Sequence, residues 1–348
     1  MKKLISILLC AMMAFSLAAC RQPKDAAVDP TDAPAPTEAV TEQPTEQPTE
    51  APTEAPTEAP TEAPTEAPAP EILSFEECAE KLLELVPYKA YDGPLPADAE
   101  ENEVLYSIND GTEICNYGPL TFAVEGETIV VCDTGYVPTR GIFVYGAEGR
   151  LISRFEAPLE GYRLAALVNG VLYTPDAAVD INTGEVLAAY VFDEDCVEEA
   201  MQISGTTPRL LLSHPFTESG VYTISYDYNV ISADGVWEET EHILNMIEDR
   251  NGEWTRFVFA DGSELTLDNV GYAVIGADAE GNVYLDHIYN GHTVIKVSPE
   301  GVQLKQLALP FDKADLWEPG FLMSLAEDGT IYAAVSFNDS FVIYRIVL

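Results

Sequence analysis

The sequence contains few basic residues. Its 348 residues include 17 Lys and Arg against 59 Asp and Glu, which gives a formal net charge of −42 at pH 7. Proteins that bind nucleic acid obtain most of their affinity from Lys and Arg contacts to phosphates. The composition therefore argues against nucleic acid as a partner and excludes binding to anionic lipid headgroups. It is compatible with cationic partners, with divalent cations, or simply with the solubility of an exposed protein.

The sequence also lacks the motifs of common enzymes and metal sites. It has no HExxH, no GxSxG, no glycine-rich phosphate loop and no CxxC. We therefore predict no catalytic residue, no metal ligand and no cofactor, and we assign no binding residue. An enzyme is not excluded, because single residues from distant parts of a chain can assemble an active site.

Cysteine is scarce, with six residues in the whole chain. Two of them fall within the first twenty residues, and the other four are widely and irregularly spaced: Cys78, Cys115, Cys132 and Cys196. This spacing argues against a zinc site. Four cysteines allow three disulfide pairings, and buried thiols are the alternative.

The N-terminus has the features of an export signal. Lys2 and Lys3 precede an uncharged apolar run, 4–19, that is slightly shorter than the roughly 20 residues of a membrane-spanning helix. The stretch Leu17-Ala18-Ala19-Cys20 resembles the lipobox of bacterial lipoproteins. The resemblance implies a signal peptide over residues 1–19 and a diacylglyceryl group on Cys20, hence a lipid-anchored protein on the outer side of the cell membrane. An ordinary signal peptide cleaved after Ala19 is the alternative.

Residues 20–70 are predicted to form a disordered tether. The segment 21–70 has no aromatic residue, and Thr-Glu-Gln-Pro and Thr-Glu-Ala-Pro units repeat from Pro44 to Pro70. Such a composition cannot bury a core, and the regular prolines favour an extended chain that can reach about 150 Å. The pattern resembles the spacers of lipoproteins from Gram-positive bacteria.

Residues 71–102 are predicted to contain one short amphipathic helix and a lead-in to the next domain. Ser74 and Glu77 match a capping box, and Pro87 ends the pattern. Six apolar residues between them recur at helical spacing: Phe75, Cys78, Ala79, Leu82, Leu83 and Val86.

Residues 103–348 contain a repeated unit, a turn followed by a β-rich run. Its five copies are anchored at Ile129, Val171, Val221, Val283 and Ile331, so the steps are 42, 50, 62 and 48 residues. These steps match the blades of a β-propeller, and they do not match a β-sandwich, which fits the strand content alone. We therefore predict an all-β fold, a propeller with five recognisable blades and a sixth if one unit is degenerate.

Two strings carry a family resemblance: PLTFAVEGETIVVCDTG (119–135) and ADAEGNVYLDHIYNGHTVIKVSPEG (277–301). They are similar to blades of the NHL and related six-bladed β-propellers, and the similarity extends over residues 103–348. The shared residues form turns and strands, so the resemblance implies an architecture and says little about chemistry. The number of visible units departs from the six blades of that family.

Histidines and acidic residues in the predicted turns are the candidates for a site. The histidines are His214, His242, His287 and His292, and the acidic residues are Asp278, Glu280, Asp286, Glu327 and Asp328. We expect His287 and His292 to be surface residues of a hairpin. The carboxylates suit calcium, but β-turns favour the same residues, and we expect the turn role.

Aromatic residues are concentrated in the irregular segment 205–270. They are Tyr222, Tyr226, Tyr228, Trp237 and Trp254. Such residues occur at protein and sugar interfaces, but we expect most of them to belong to the core.

Residues 103–109 are predicted to close the ring. The strand at 340–347 has no following segment to cover its edge, and the run EVLYSIND (103–110) alternates apolar and polar residues. We expect 103–109 to pair with 340–347 in an antiparallel manner and to complete the last blade.

Three functions are compatible with this organisation. The first is a non-catalytic module at the cell surface that binds an extracellular protein, peptide or glycan, and the long tether favours it. The second is a metal-dependent hydrolase or lyase with an acidic site in the channel. The third is an accessory protein for envelope assembly. Convergence of three or more carboxylate or imidazole groups at the channel mouth would favour the enzyme.

Overall fold

The computed structural model describes residues 69–87, 103–104, 108–109, 114–115, 119–132, 141–156, 164–191, 197–218, 221–288, 291–311, 316–337 and 340–348. All of them lie in one compact unit, Pro64–Leu348. The predicted signal peptide, Cys20 and almost all of the predicted tether lie outside the described residues. No helix in the described part is both long and apolar enough to cross a bilayer.

The described chain is almost entirely β-structure. It begins with β1 (Glu71–Leu73), helix α1 (Phe75–Cys78), β2 (Ala79–Pro87), β3 (Glu103–Val104), β4 (Ile108–Asn109) and β5 (Ile114–Cys115). Blade 1 follows with β6 (Thr121–Glu125), β7 (Thr128–Cys132), β8 (Gly141–Tyr145) and β9 (Leu151–Glu156). Blade 2 contains β10 (Ala166–Val168), β11 (Val171–Tyr173), β12 (Ala177–Asp180) and β13 (Val186–Ala189).

The remaining three blades contain longer strands. Blade 3 is formed by β14 (Val197–Ser204), β15 (Thr207–Glu218), β16 (Val221–Ile231), β17 (Trp237–Glu248), β18 (Trp254–Phe259) and β19 (Glu264–Asp268). Blade 4 contains β20 (Tyr272–Ala277), β21 (Val283–His287), β22 (Thr293–Val297) and β23 (Gln303–Ala308). Blade 5 contains β24 (Leu316–Leu325), β25 (Thr330–Phe337) and β26 (Phe341–Val347). Neighbouring strands within each blade are antiparallel meanders.

The core consists of five hydrophobic clusters, one between each pair of neighbouring blades. The cluster between blades 2 and 3, for example, joins Ala166 to Met201 and Trp237. Equivalent clusters join blades 1 and 2, blades 3 and 4, and blades 4 and 5. The fifth joins blade 5 to blade 1, where Phe341 packs with Phe122. The ring is therefore closed, and the predicted all-β propeller with five blades is confirmed.

Blade 3 accounts for the 62-residue step between the third and fourth units. It contains six strands, and three of them, β15 to β17, have 11 or 12 residues. The extra length lies within one sheet, so no sixth blade is present among the described residues.

The ring is closed by β2, and the prediction that 103–109 closes it is wrong. β2 pairs with β26 in an antiparallel manner, with Ala79 opposite Ile346 and Leu85 opposite Phe341. β3 lies outside β2 as a fifth strand and pairs with it in a parallel manner, whereas β4 pairs with β5. The ends of the domain do meet in blade 5, but through a strand about twenty residues earlier than expected.

The predicted helix is present only as the single turn of α1. Ser74 makes no side-chain cap to this helix, because its hydroxyl donates to Glu76 instead of serving the predicted capping box. In β2, Leu83 and Leu85 are buried and Glu84 is exposed, which is the two-residue period of a strand. A bulge between Lys81 and Leu83 interrupts this period and gives the sequence its helical spacing.

The N-terminal segment also covers blade 4. β1 pairs with the outer strand β23 in a parallel manner, with Glu71 opposite Lys305. Cys78, between the two covering strands, is half-buried and has a free thiol, and burial raises its pKa. Cys132 is buried in blade 1. The side chains of Cys115 and Cys196 lie outside the described residues, so the disulfide pairing stays open.

Candidate functional site at the channel mouth

A cavity of about 470 Å³ lies on the axis of the propeller. It occurs at the end of the channel where the first hairpin of each blade lies, and all five blades contribute to it. Its lining comprises Ala123, Val124, Glu125, Ala165, Ala166, Leu167, Val168, Met201, Gln202, Ile203, Gly205, Ala279, Ser324, Leu325, Ala326, Glu327, Asp328 and Tyr332.

The floor of the cavity is apolar, and two of its residues are alanines. Ala123, Ala166 and Met201 come from the first strands of blades 1, 2 and 3, and Leu325 comes from blade 5. All four are buried. First strands that meet at the axis leave little room for large side chains, and this accounts for the alanines at these positions.

Two glutamates at the rim connect hairpins of different blades. The carboxylate of Glu125 in blade 1 accepts hydrogen bonds from the backbone N–H groups of Asn169 (2.7 Å) and Gly170 (3.4 Å) in blade 2. Asn169 and Gly170 both have positive φ, the conformation that a tight hairpin turn requires. Glu125 therefore braces the neighbouring turn.

Glu327 has the same role between blades 5 and 3. Its carboxylate accepts hydrogen bonds from the Ser204 hydroxyl (3.1 Å) and the Gly205 N–H (2.7 Å), and its backbone carbonyl accepts one from Ala279 of blade 4 (2.8 Å). One residue thus ties three blades together at the rim. Both oxygens of each glutamate have donors, so these carboxylates are held in fixed positions.

Asp328 is the third carboxylate of the rim. Its Oδ1 accepts a hydrogen bond from the backbone N–H of Thr330 (2.9 Å), which is an Asx turn. Tyr332 lies beside it, and burial together with the negative charge of Asp328 raises the pKa of Tyr332. The rim therefore has three carboxyl groups, one from blade 1 and two from blade 5.

A buried polar network forms the wall between blades 3 and 4. The Tyr228 hydroxyl donates to Oε1 of Gln202 (2.5 Å) and accepts from the backbone N–H of Ala277 (2.9 Å). The side-chain amide of Gln202 donates in turn to the Ala277 carbonyl (3.0 Å). Burial raises the pKa of Tyr228. The network places Gln202 in the cavity wall with both ends of its amide engaged.

Asp278 is a turn residue next to the cavity and does not line it. Its carboxylate accepts hydrogen bonds from Asn282 and Tyr284, and Lys296 Nζ lies 3.2 Å from it. Burial alone raises the pKa of Asp278, but the hydrogen bonds from Asn282 and Lys296 outweigh burial and lower it. The turn role expected from the sequence holds for this residue and for Glu280, Glu327 and Asp328, and it is wrong for Asp286, which lies in strand β21.

His287 and His292 lie at the other end of blade 4, and the prediction that they are surface residues is wrong. His292 Nδ1 lies 2.6 Å from the carboxylate of buried Asp286, and its ring packs against Phe321 of blade 5. The ring of His287 stacks on Tyr272. Both imidazoles are half-buried, His292 against blade 5 and His287 against a strand of its own blade.

His214 and His242 belong to a separate cluster on blade 3. His242 Nδ1 lies 2.7 Å from the buried Asp227, which also accepts a hydrogen bond from Ser225 (3.0 Å). Asn245 approaches the other ring nitrogen of His242 at 3.4 Å, and His214 lies 3.9 Å from Asp227. In the described ranges, no three His, Cys, Asp or Glu side chains form a group that could hold a metal ion.

Most of the aromatic residues in 205–270 belong to the core, as expected. Tyr226, Tyr228 and Trp237 are buried, and the Trp237 indole donates to the Pro175 carbonyl of blade 2 (2.8 Å). Tyr222 is exposed, and Trp254 is half-buried near Arg256. None of these five aromatic residues lines the cavity.

Comparison with known proteins yields fold-level similarity only. Residues 35–70 match the family described as the PT disordered repeat. Among solved structures, a virginiamycin B lyase from Staphylococcus aureus with quinupristin is 10% identical, with a TM-score of 0.37, covering 66% of this chain and 95% of that one. A streptogramin B lyase is 9% identical, with a TM-score of 0.36, and the match covers 66% of this chain and 94% of that one. A protein of unknown function from Bacteroides caccae is 10% identical, with a TM-score of 0.30, and the match covers 61% of this chain and 66% of that one. No curated protein sequence matches the chain.

Proposed function

We propose that the protein is a lipid-anchored, extracytoplasmic propeller that acts as a non-catalytic binding module at the cell surface. Its binding site is the cavity at the channel mouth. The observation that carries this proposal is the use of the rim carboxylates: Glu125 and Glu327 accept hydrogen bonds from other blades through both oxygens. Groups engaged in this way stiffen a rim, whereas a general acid or base needs freedom to exchange its proton with a substrate.

The shape of the site supports binding as well. Its volume lies within the range of about 300–1,000 Å³ that is typical of ligand pockets, and its floor is apolar with a polar rim. The predicted tether would give such a site reach, since a flexible linker lets an anchored module meet partners at a distance.

A photo-crosslinking residue in the cavity tests the binding function. We would place it at Ser324, which lines the cavity, and at Thr266, an exposed position on the outer strand β19, as the matched control. In the full-length protein on intact cells, the proposal expects a discrete crosslinked partner at 324 and none at 266. Equal labelling at the two positions, or none at either, contradicts it.

Lipid anchoring is tested separately by Cys20→Ser. Metabolic labelling with a fatty acid should label the parent protein and leave the variant unlabelled, because a serine hydroxyl cannot accept the diacylglyceryl group as a thioether. The variant should also move from the membrane fraction to the medium. A labelled variant would show that Cys20 is not the attachment site.

A further inference from the structure

Blade 3 extends beyond blade 2 on the side where these two blades face each other. The strands of blade 2 have 3 or 4 residues, whereas β15 of blade 3 has 12. Leu210 and Leu212 of β15 are buried in the cluster shared with blade 2. His214 and Phe216 follow on the same face, because side chains alternate along a strand, and the His214 side chain and Phe216 are each 41% exposed. The outer part of this face is therefore open to solvent.

Polar side chains from three neighbouring strands meet on this open face. His214 in β15 pairs with Ser225 in β16, and Ser225 pairs in turn with Asn245 in β17. Asp227 follows Ser225 on the same face and pairs with His242. Residues that are directly opposite each other in antiparallel strands have Cβ atoms roughly 4.5–5.5 Å apart, so their side chains share one patch of surface. We call these five residues the polar cluster of blade 3.

Buried Asp227 holds the other members of the polar cluster in position. Its carboxylate accepts a hydrogen bond from the Ser225 hydroxyl (3.0 Å) and lies 2.7 Å from Nδ1 of His242. A carboxylate only accepts, so Nδ1 donates, and Nε2 of His242 is then the acceptor for the Asn245 amide at 3.4 Å. This network fixes the orientation of Ser225 and His242. It does not use the carbonyl oxygen or the second N–H of the Asn245 amide.

The chemical groups on this face suit a ligand with many hydroxyl groups. A hydroxyl group both donates and accepts, and so do the amide of Asn245, the imidazole of His214 and the hydroxyl of Ser225. The exposed ring of Phe216 lies beside them, two residues from His214 on the same face. An aromatic ring offers an apolar surface on which the C–H groups of a sugar ring can pack. Hydroxyl groups and apolar C–H faces occur together in carbohydrates.

The distribution of charge indicates that the ligand is neutral. The only carboxylate of the polar cluster lies between two imidazoles, with His242 at 2.7 Å and His214 at 3.9 Å. The Asp227 side chain is 8% exposed, so a cation finds no accessible carboxylate in the cluster. An anionic polymer is repelled by the net charge of −42 on the whole chain. An uncharged molecule meets neither obstacle.

We propose that the overhanging face of blade 3 binds an uncharged oligosaccharide through its polar cluster and the ring of Phe216. The predicted tether supports this occupant, because a chain with that reach would hold the domain among the glycan strands of a cell wall. None of the residues of this face lines the cavity at the channel mouth. The inference therefore adds a second site to the binding function proposed above and does not depend on the first.

A tetramer of N-acetylglucosamine is the probe for this site. We would measure its binding to the full-length protein in detergent by isothermal titration calorimetry, beside a uronic acid oligosaccharide of the same length. The uncharged tetramer should bind, and the acidic one should not bind measurably. The affinity for the uncharged tetramer should change less than about twofold between about 0.05 and 0.5 M salt, because no ion pair holds it. No binding of the uncharged tetramer, or equal binding of the two oligosaccharides, overturns the proposal.

A matched pair of variants locates the site on one face of the sheet. Phe216 and Tyr222 are exposed to a similar extent, 41% and 44%, and belong to the same hairpin. Their side chains lie on opposite faces, because Phe216 pairs with Thr223, the residue after Tyr222. Phe216→Ala should weaken binding of the uncharged tetramer about tenfold, and Tyr222→Ala should leave it unchanged. Asn245→Ala should also weaken it about tenfold. Equal urea unfolding curves show that the variants are folded.

The outcomes separate this site from the one at the channel mouth. Equal effects of Phe216→Ala and Tyr222→Ala, or no effect of Phe216→Ala, overturn the site on blade 3 even if the tetramer binds. A crosslinked partner at 324 without oligosaccharide binding also overturns it and leaves the function of the cavity. Oligosaccharide binding without a crosslink at 324 does the reverse. The crosslinking control Thr266 lies on β19, two strands away from β17, so the two experiments are independent.

Discussion

Blade 3 and blade 5 are large sheets built in opposite ways. Blade 3 takes its six strands from one stretch, 197–268, and every strand follows its neighbour through a short turn. Blade 5 takes three strands from 316–347 and completes itself with β2 and β3 from the start of the domain. The first sheet is specified by turns, whereas the second depends on two distant strands that recognise each other.

In blade 5, side-chain packing must set the strand register that hairpin turns set in blade 3. No hairpin sets the register of β2 against β26, so the side chains must do so. Leu83 and Leu85 share a buried cluster with Phe341 and Ile343. A shift by one residue would turn both leucines away from this cluster, and this penalty fixes the register.

The largest expected effect tests this dependence. Leu85→Ala should lower the free energy of unfolding by about 2–5 kcal/mol, because Leu85 is fully buried and its loss leaves a cavity at the only joint between the two chain segments of blade 5 described in the structure. Equilibrium unfolding in urea measures this loss. Glu84→Ala on the same strand is the control; Glu84 is exposed and pairs with Lys81, so the expected change is below about 1 kcal/mol. Comparable losses in the two variants would mean that packing does not hold the joint.

A smaller effect is expected from the interior of blade 3. Tyr228→Phe removes a hydroxyl that donates to Gln202 and accepts from the Ala277 N–H, and it leaves Gln202 Oε1 and the Ala277 N–H without this partner. We expect a loss of about 1–3 kcal/mol in the free energy of unfolding. Tyr222→Phe removes an exposed hydroxyl from the same strand, β16, and should change stability by less than about 0.5 kcal/mol. If both variants unfold like the parent, the network contributes no net stability and blade 3 depends on its apolar contacts.

The smallest effect depends on pH and concerns a weak point of blade 3. Burial raises the pKa of Glu199 above its ordinary value of 4.5, although the Ser213 hydroxyl donates to it and opposes the change. The folded protein therefore keeps this proton to higher pH than the unfolded chain does. Stability contributed by the protonated form is lost as pH rises from the ordinary value through the raised value.

Glu199→Gln should remove that loss. The variant should resemble the parent near pH 4 and become more stable than the parent as pH rises to 8, since the amide stays neutral and can still accept from Ser213. Urea unfolding at several pH values measures the difference. Glu239→Gln, an exposed position on β17, gives the baseline for the loss of one negative charge. A gain that is the same at every pH would contradict a role for the burial of Glu199.

The sequence predicted the propeller architecture better than it predicted the individual strands. Glycine-containing turns at 126, 170 and 281 occur where a positive φ is needed, and turns of this type recur at blade spacing, so the ring and its blades could be predicted. The strand β2 could not be predicted, because the bulge between Lys81 and Leu83 interrupts the two-residue alternation of a strand. The apolar residues on either side of the bulge are therefore at helical spacing in the sequence. The wrong closing strand followed from that misreading.

The candidate site was only partly visible in the sequence, which offered Glu327 and Asp328 as candidates and did not offer Glu125. Glu125 ends β6 and Glu327 lies in a turn, where acidic residues are common for local reasons, and nothing in their neighbourhood reveals that their partners lie in other blades. The alanines of the floor carry no chemical signal at all. Only the ring brings residues from 123 to 332 to one point, so a site of this kind can be read after the fold is known and not before.

The pairing of β2 with β26 in blade 5 also affects the order in which parts of the domain can fold. During synthesis or export from its N-terminal end, the chain presents Ala79–Pro87 early, and the residues of β26 that cover it appear only after some 260 further residues. Contacts between such distant segments form late, since the entropy of closing the long loop must first be overcome. Until then Leu83 and Leu85 have no partner strand. β2, one of the first strands to emerge, is therefore among the last to be paired, and the ring cannot close before β26 has been made.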